Sequence, residues 1–352
     1  MTGKQSIKFA ALAIWAALLF APFLFQDVRS LEVAARIAIF IVLVASYDLL
    51  IGYTGIVSFA HTMFFGFGAY GAAIALRQMG PGWDAVLLGT LAGVGVSLVM
   101  AVLIGLLSLR VKAIFFAMIT LAAASVALVM ASQLSGLTGG EDGITYKAPQ
   151  LFKTATKLMV DEDGKVLRIF GVKMNGKLAG YYFVFITCAL LFWVMLRIVG
   201  SPLGTVLEAI RENEARAEGI GYRVVVYRTL VFCIAAVAAS LAGSIYAIWL
   251  KYTGPDTALS FAIMIDILLM VVIGGMGTMW GAVIGASLLV LAQYYLRDLM
   301  EVAAEATVSI PVLPELLNPD RWLLWLGVLF ILLVYFFPAG IAGTIMGKGQ
   351  HK

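Results

Sequence analysis

SPLGTVLEAIRENEARAEGIGYRVVVYR, residues 201–228, is a charged amphipathic stretch set between two apolar runs, ITCALLFWVMLRIVG before it and TLVFCIAAVAASLAG after it. A segment this polar has no place in hydrocarbon. It must lie in water at one bilayer face, where a soluble partner can grip a membrane protein. Ser201 with Pro202 behind it is a helix start, an N-cap followed by proline at the first helical position. Leu203, Val206, Leu207 and Ile210 recur at helical spacing and make one apolar face, while Glu208, Arg211, Glu212, Glu214, Arg216 and Glu218 fill the rest. Gly219 and Gly221 supply the stop. Pattern alone leaves two readings open: a solvated helix resting on the bilayer surface, or a docking lever for another subunit.

Composition explains why everything around this stretch reads as membrane. Of 352 residues, 62% are hydrophobic and only 12% charged. Soluble domains average roughly 45–50% and about 25%, so no soluble fold of this size could hide the apolar surface. Lipid offers no hydrogen bonds, so spans must be helices or closed barrels. The apolar runs here are too long for barrel strands and lack strict alternation. The fold class expected is all-α: a polytopic transmembrane helical bundle of about ten spans, forming a single transmembrane domain over residues 1–352.

The spans are expected at Phe9–Phe25, Val33–Ile51, Gly55–Leu76, Ala85–Leu109, Ala113–Ala131, Tyr181–Val199, Thr229–Leu250, Leu259–Ile273, Ala282–Leu296 and Trp322–Phe337. A helix of roughly 20 apolar residues crosses the hydrocarbon core. The first run, preceded by Lys4 and Lys8, reads as a retained helix and not as a cleaved leader. Two runs are broken by glycine. GIVSFAHTMFFGFGAYGAAIAL carries Gly55, Gly66, Gly68 and Gly71 among aromatics, and reads as a close-packed or a re-entrant helix. GGMGTMWG, with Gly274, Gly275 and Gly277, separates the eighth and ninth runs. Arg110 and Lys112 mark a turn, and Pro311, Pro314 and Pro319 mark the loop before the last span.

Residues 132–180 form the one long polar connection, read as an external loop. It contains GLTGGEDGIT, where Gly139, Gly140, Glu141, Asp142 and Gly143 suggest a turn, and VDEDGKVLRIFGVKMNGKL. The latter alternates around Asp-Gly and Asn-Gly, which suggests a small hairpin. Placing residues 200–228 inside puts both termini inside. Arg110, Lys112, Arg211, Arg216, Arg223, Arg228, Lys348 and Lys352 then face the cytoplasm, in keeping with the positive-inside bias. The long connection runs against that bias with seven basic residues between Lys147 and Lys177.

Charges inside spans mark pathways or partners. Asp266 sits near the middle of ALSFAIMIDILLMVVIGG. Asp48 lies near the inner end of the second run. Either could pair with Arg36 or with a neighbouring subunit. His61, on the glycine–aromatic segment, reads as a packing residue before it reads as a ligand. Candidates for the translocation pathway are Asp48, His61, Phe64, Gly66, Gly68, Asp266, Gly274, Gly275 and Gly277. Cys188 and Cys233 fall inside apolar runs as small packing residues, and neither they nor His61 and His351 have metal-ligand spacing. Scattered basic residues argue against a nucleic-acid partner.

LEAIRENEARAEGIGY resembles the cytoplasmic coupling segment of ABC importer permeases, and more narrowly that of the M-type permease subunit of branched-chain amino acid importers. SYDLLIGYTGIVSFAHTMFFGFGAYGAA, LTGGEDGIT and ILLMVVIGGMGTMWGAVIG match the same family in the same order, so the resemblance covers roughly residues 46–285. It thins in the VDEDGKVLRIFGVKMNGKL insert. Urea and short-amide importers use closely similar permeases. The resemblance implies a multi-pass protein of the bacterial inner membrane. Its implied partners are a second related permease subunit, two cytoplasmic ATPase subunits and a periplasmic solute-binding protein. It further implies that Gly204, Glu208, Ala209, Arg211, Glu212, Asn213 and Gly219 form the ATPase-coupling site.

A negative observation agrees. The chain holds no G-x-x-x-x-G-K-[ST] phosphate loop, so ATP, if it drives transport, is bound by partner subunits and this chain carries no cofactor. No H-E-x-x-H or G-x-S-x-G is present to start a hydrolase. The competing reading is an ion-coupled secondary transporter of small polar solutes that relays charge through Asp48, His61 and Asp266. Such a carrier has no use for an ATPase-gripping helix.

Overall fold

A computed structural model describes residues 3–25, 27–108, 113–153, 156, 168–169, 172–306 and 318–347. The long helices are α1 (Gly3–Leu24), α2 (Val28–Ile51), α3 (His61–Met79), α4 (Trp83–Ser108), α5 (Ala113–Gln133) and α7 (Gly176–Val199). They continue with α10 (Val224–Leu250), α12 (Phe261–Gly274), α13 (Met279–Ala306) and α14 (Trp322–Phe336). Short helices connect them: α6 (Ser135–Thr138), α8 (Pro202–Glu212), α9 (Glu214–Gly219), α11 (Pro255–Ala258) and α15 (Gly340–Ile345). Among the described residues nine stretches are long and apolar enough to cross a membrane. Helix α3, expected as the third span, is 19 residues and about 28 Å long at 1.5 Å per residue but is not among those nine, because His61, Arg77, Gln78 and its glycines lower its hydropathy. The fold is an all-α polytopic membrane bundle.

Helix α2 is its axis. From Ile37 to Leu50 every side chain is buried, because α7, α10, α12 and α13 enclose it. A helix that is apolar all round is stable only in such a position or in lipid. The outward faces of the surrounding helices show the other half of the pattern. Leu87, Leu91 and Val99 on α4, Ile114, Phe115 and Met118 on α5, and Ile331 and Tyr335 on α14 are exposed.

The glycine–aromatic helix α3 is close-packed. It starts at His61, six residues later than the pattern places it, after an irregular entry through residues 53–60. A methyl group on Gly68 would overlap the Ser240 carbonyl of α10, and one on Gly71 would overlap the Gly89 carbonyl of α4. Gly243 meets the Phe65 carbonyl in the same way. Small residues let the three backbones touch, which is how membrane helices gain van der Waals attraction.

Three boundaries differ from expectation for physical reasons. Helix α13 runs ten residues past Leu296, because Arg297, Leu299, Met300, Glu301, Ala303, Ala304 and Glu305 are good helix formers whether or not they lie in hydrocarbon. Helix α12 holds only 14 residues, about 21 Å, and α11 precedes it as a separate turn opened by Gly254 and Pro255. Asn175 is not a hairpin turn residue but the N-cap of α7, its side chain accepting from the Leu178 N–H at 3.3 Å.

In the 132–180 connection, β1 (Ile144–Thr145) pairs antiparallel with β4 (Tyr252–Thr253) beyond the end of α10. Tyr252 donates to the Asp142 carbonyl at 3.1 Å. This holds the GLTGGEDGIT turn against the bundle. Strands β2 (Arg168–Ile169) and β3 (Val172–Lys173) form a second antiparallel pair. Asp163–Gly164, Arg110, Lys112, Pro311, Pro314, Lys348, His351 and Lys352 lie outside the described residues.

Candidate functional site: a junction under the polar helix

Helices α8 and α9 form an elbow. The pattern suggests one helix ending at glycine, whereas the chain breaks at Asn213, which is extended at φ −157° and ψ 98°. Its side chain accepts from the Arg216 N–H at 2.9 Å and so caps α9. Ser201 holds the N-cap position of α8, but its hydroxyl turns back to the Ile198 carbonyl at 2.6 Å. Ile210, Ala217 and Val224 meet under the elbow as a small core of their own. Arg228 at the start of α10 grips Glu214 with two hydrogen bonds of 2.8 and 3.0 Å. The elbow is therefore braced by a small core and an ion pair to α10.

The residues expected in the coupling site divide into three groups. Gly204 is buried against the Val199 carbonyl, and Ala209 is half-buried. Glu208, Glu212, Asn213 and Gly219 are exposed. The carboxylates of Glu208 and Glu212 have no hydrogen-bond or ion-pair partner among the described residues, leaving them open to a partner. Arg211 is different. Its guanidinium donates to the Gly52 carbonyl in the turn between α2 and α3. It acts as a strut within the chain.

That strut leads to the two glycine breaks. Gly277, φ +73°, lies beside both Arg211 and Gly52. Its N–H donates to Asp48 Oδ1 at 2.8 Å. Gly275, φ +107°, packs against the carbonyl of Ala339 just ahead of α15. A side chain at either position would be strained, since L-residues rarely adopt positive φ. Asp48, Gly52, Arg211 and Gly277 thus knit the ends of α2, α8 and α12 and the start of α13 into one junction. Tyr53 closes it. Burial first, and then the Asp48 charge, push its hydroxyl above the ordinary tyrosine value.

Other pathway candidates have different surroundings. Phe64 is buried edge-on to Phe232 at 5.4 Å, and Gly66 faces the Leu259 side chain. With Gly68 they are packing residues of α3. His61 is buried, with Nε2 2.8 Å from Ser46 Oγ. The Ser46 hydroxyl proton goes to the Leu43 carbonyl, so His61 donates from Nε2. The histidine pins the start of α3 to α2. Gly274 packs against Gly281 across the α12–α13 turn. Asp266 is half-buried and accepts from Gln293 Nε2 at 2.9 Å, so its partner is α13 of the same chain. Neither Asp48 nor Asp266 is in ion-pair contact with Arg36, though Asp266 and Arg36 are near enough to attract each other. Asp48 lies twelve residues further down α2, about 18 Å away along the helix.

The sequence pattern did not bring out a cavity of about 300 Å³ at the opposite end of the bundle, where Arg36, Glu32, Lys177 and Tyr294 meet. Its walls come from four helices far apart in the chain. A lone arginine inside an apolar run was the only signal that could have pointed to it.

The sequence profile of the family described as "Branched-chain amino acid transport system / permease component" matches residues 30–345. Among curated relatives, the high-affinity branched-chain amino acid transport system permease protein LivM of Salmonella typhimurium is 27% identical over 318 residues. The match covers 89% of this chain and 69% of the relative. The Escherichia coli protein of the same description is 25% identical over 346 residues, covering 97% and 75%. A probable LivM of Methanocaldococcus jannaschii is 29% identical over 177 residues, 48% of each chain. No solved structure matches the chain.

Proposed function

The chain belongs to the permease family of branched-chain amino acid transport systems, and on that premise we propose how it works as a permease subunit of an ATP-driven importer. It is a multi-pass membrane protein and a transporter component. The finer reading places it in the inner membrane of a bacterium beside a second, related permease. Two ATPase subunits on the cytoplasmic side bind and hydrolyse the ATP, this chain holding no cofactor. A periplasmic binding protein delivers a branched-chain or related amino acid.

One observation carries the coupling role. The elbow of α8 and α9 offers unpartnered carboxylates to solvent while its underside is braced, through Arg211, against the turn at Gly52 and the glycine break at Gly277. A force on Glu208 or Glu212 from a closing ATPase would pass through the braced elbow. It would reach the inner ends of α2, α12 and α13 together. Those helices form the centre of the bundle, so tilting their inner ends changes access to the pathway. An ion-driven carrier would gain nothing from this linkage.

The test is the double substitution Glu208→Ala with Glu212→Ala in the assembled transporter. Both side chains are exposed and lack partners within the described chain, so stability should change by no more than about ±0.5 kcal/mol. Uptake and substrate-stimulated ATP hydrolysis should fall while the amount of protein in the membrane stays normal. Full uptake with full stimulation would remove the coupling role from α8.

A further inference from the structure

From the cavity at the end of the bundle away from α8, and resting on the importer reading above, we infer that this chain itself binds the substrate there, with Arg36 holding the carboxylate of an aliphatic α-amino acid. The cavity volume of about 300 Å³ lies at the lower limit of small-molecule sites. Its lining comes from the first turns of α2 and α7, the last turns of α10 with Lys251 beyond it, the middle of α13, and Phe152 from the long connection.

The charge balance selects the ligand. Arg36, Lys177 and Lys251 face the space with a single carboxylate, Glu32, which is already paired with Lys177 at 3.4 Å. Arg36 takes part in no ion pair among the described residues. Its Nη1 donates to the Tyr294 hydroxyl at 2.9 Å, and its guanidinium stands 5.2 Å from the Phe40 ring centre and 5.5 Å from that of Tyr294. The buried Nε has no acceptor. A guanidinium fixed between aromatic rings within a membrane span, with Asp266 acting on it only at a distance and no carboxylate in ion-pair contact, lacks its natural planar partner. Glu32 lies one helical turn outward on α2, and since Lys177 engages only its Oε1, the other oxygen is in place for the ligand ammonium. Val184, Ile248 and Leu250 supply an apolar wall for an aliphatic side chain.

A phospholipid phosphate is the other anion within reach of a membrane protein. Depth argues against it. Arg36 lies eight residues into α2, about 12 Å from its end. Each headgroup layer is only about 5–8 Å thick. A carboxylate on a small free solute reaches that depth more readily than a headgroup tethered to two chains.

The experiment uses the assembled permease–ATPase complex in nanodiscs, without binding protein, and measures equilibrium binding of labelled leucine. Leucine amide, which lacks the carboxylate, serves as competitor. The parent should bind leucine and reject the amide. Arg36→Gln should weaken leucine binding about 10- to 100-fold, the loss expected for a hydrogen bond to a charged group. It should also abolish the preference for acid over amide, which a merely structural role would not touch. Arg36→Lys, which keeps the charge, should recover most of the preference.

Two nanodisc compositions separate the anion sources. Leucine binding should be equal in pure phosphatidylcholine and with phosphatidylglycerol added. Phosphatidylglycerol that competes with leucine in the parent but not in Arg36→Gln would make the cavity a lipid site and overturn the inference. So would a parent complex that imports leucine yet binds it no better than Arg36→Gln does. A parent complex that imports no amino acid would instead refute the importer reading on which the inference rests.

Discussion

Asp48→Ala tests the junction where α2, α8, α12 and α13 meet. Asp48 is 1% exposed, and its Oδ1 accepts the Gly277 N–H at 2.8 Å. Hydrogen bonds to charged groups contribute about 1.5–3 kcal/mol, and alanine leaves the buried N–H without an acceptor. At about 1.4 kcal/mol per factor of ten, the closed form of the Gly277 turn loses roughly 10- to 150-fold in population. The perturbation is local, because the rest of α2 stays enclosed by apolar side chains. Hydrogen exchange read by mass spectrometry on a peptide spanning 274–280 measures that population directly. Protection there should fall by the same factor, while peptides from α3 and α10 should not change. Asp48→Asn keeps an amide oxygen able to accept, and should restore part of the protection. In the assembled transporter, Asp48→Ala should hydrolyse ATP but import less per ATP, since the Asp48–Gly277 link no longer ties α2 to the start of α13. Unchanged protection at 274–280 together with unchanged coupling would show that the junction carries neither stability nor force.

Two further substitutions probe the seams. Gly68→Val places methyl groups on the Ser240 carbonyl, so α3 and α10 must part. Overpacking of this kind costs about 1–3 kcal/mol, and the yield of monodisperse protein in detergent should drop, whereas Gly136→Ala, which meets open space, should match the parent. Asp266→Leu leaves the Gln293 amide without its acceptor and should destabilise by about 1–3 kcal/mol, while Asp266→Asn should be nearly neutral; equal thermal stability of the two in detergent would break the α12–α13 link.

The span pattern was legible because lipid imposes one rule, that long apolar runs become helices, and the runs are plain in the sequence. What could not be read was which way each helix faces. Arg211 reads as a surface charge on an amphipathic helix, yet it reaches a carbonyl 159 residues away at Gly52. Asp48 and Gly277 likewise meet across 229 residues. No local period encodes such partners. The glycines of α3 were visible, but pattern could not separate a break from a close approach until Ser240 and Gly89 stood opposite them. Asn213 was hidden for another reason. The apolar spacing continues through it, and only its side-chain cap on Arg216 ends one helix and begins the next. Of the coupling residues, Glu208 and Glu212 are where a surface helix should have them, because exposure on α8 follows directly from the amphipathic period.

The enclosure of α2 has a consequence for how the protein is made. The helix enters the membrane early, yet α13, which covers one of its sides, begins at Met279. At roughly 5–20 residues per second, the ribosome needs about 10–50 s to translate the 228 residues from Ile51 to Met279. During that interval α1, α7 and α10 can already cover α2, but the side that α13 takes stays open and Arg36 lacks Tyr294. A nascent chain stalled before α13 would therefore expose a charged helix to the bilayer. Quality-control proteases that survey membrane segments would meet this chain at its most vulnerable in the stretch of synthesis that precedes its last third.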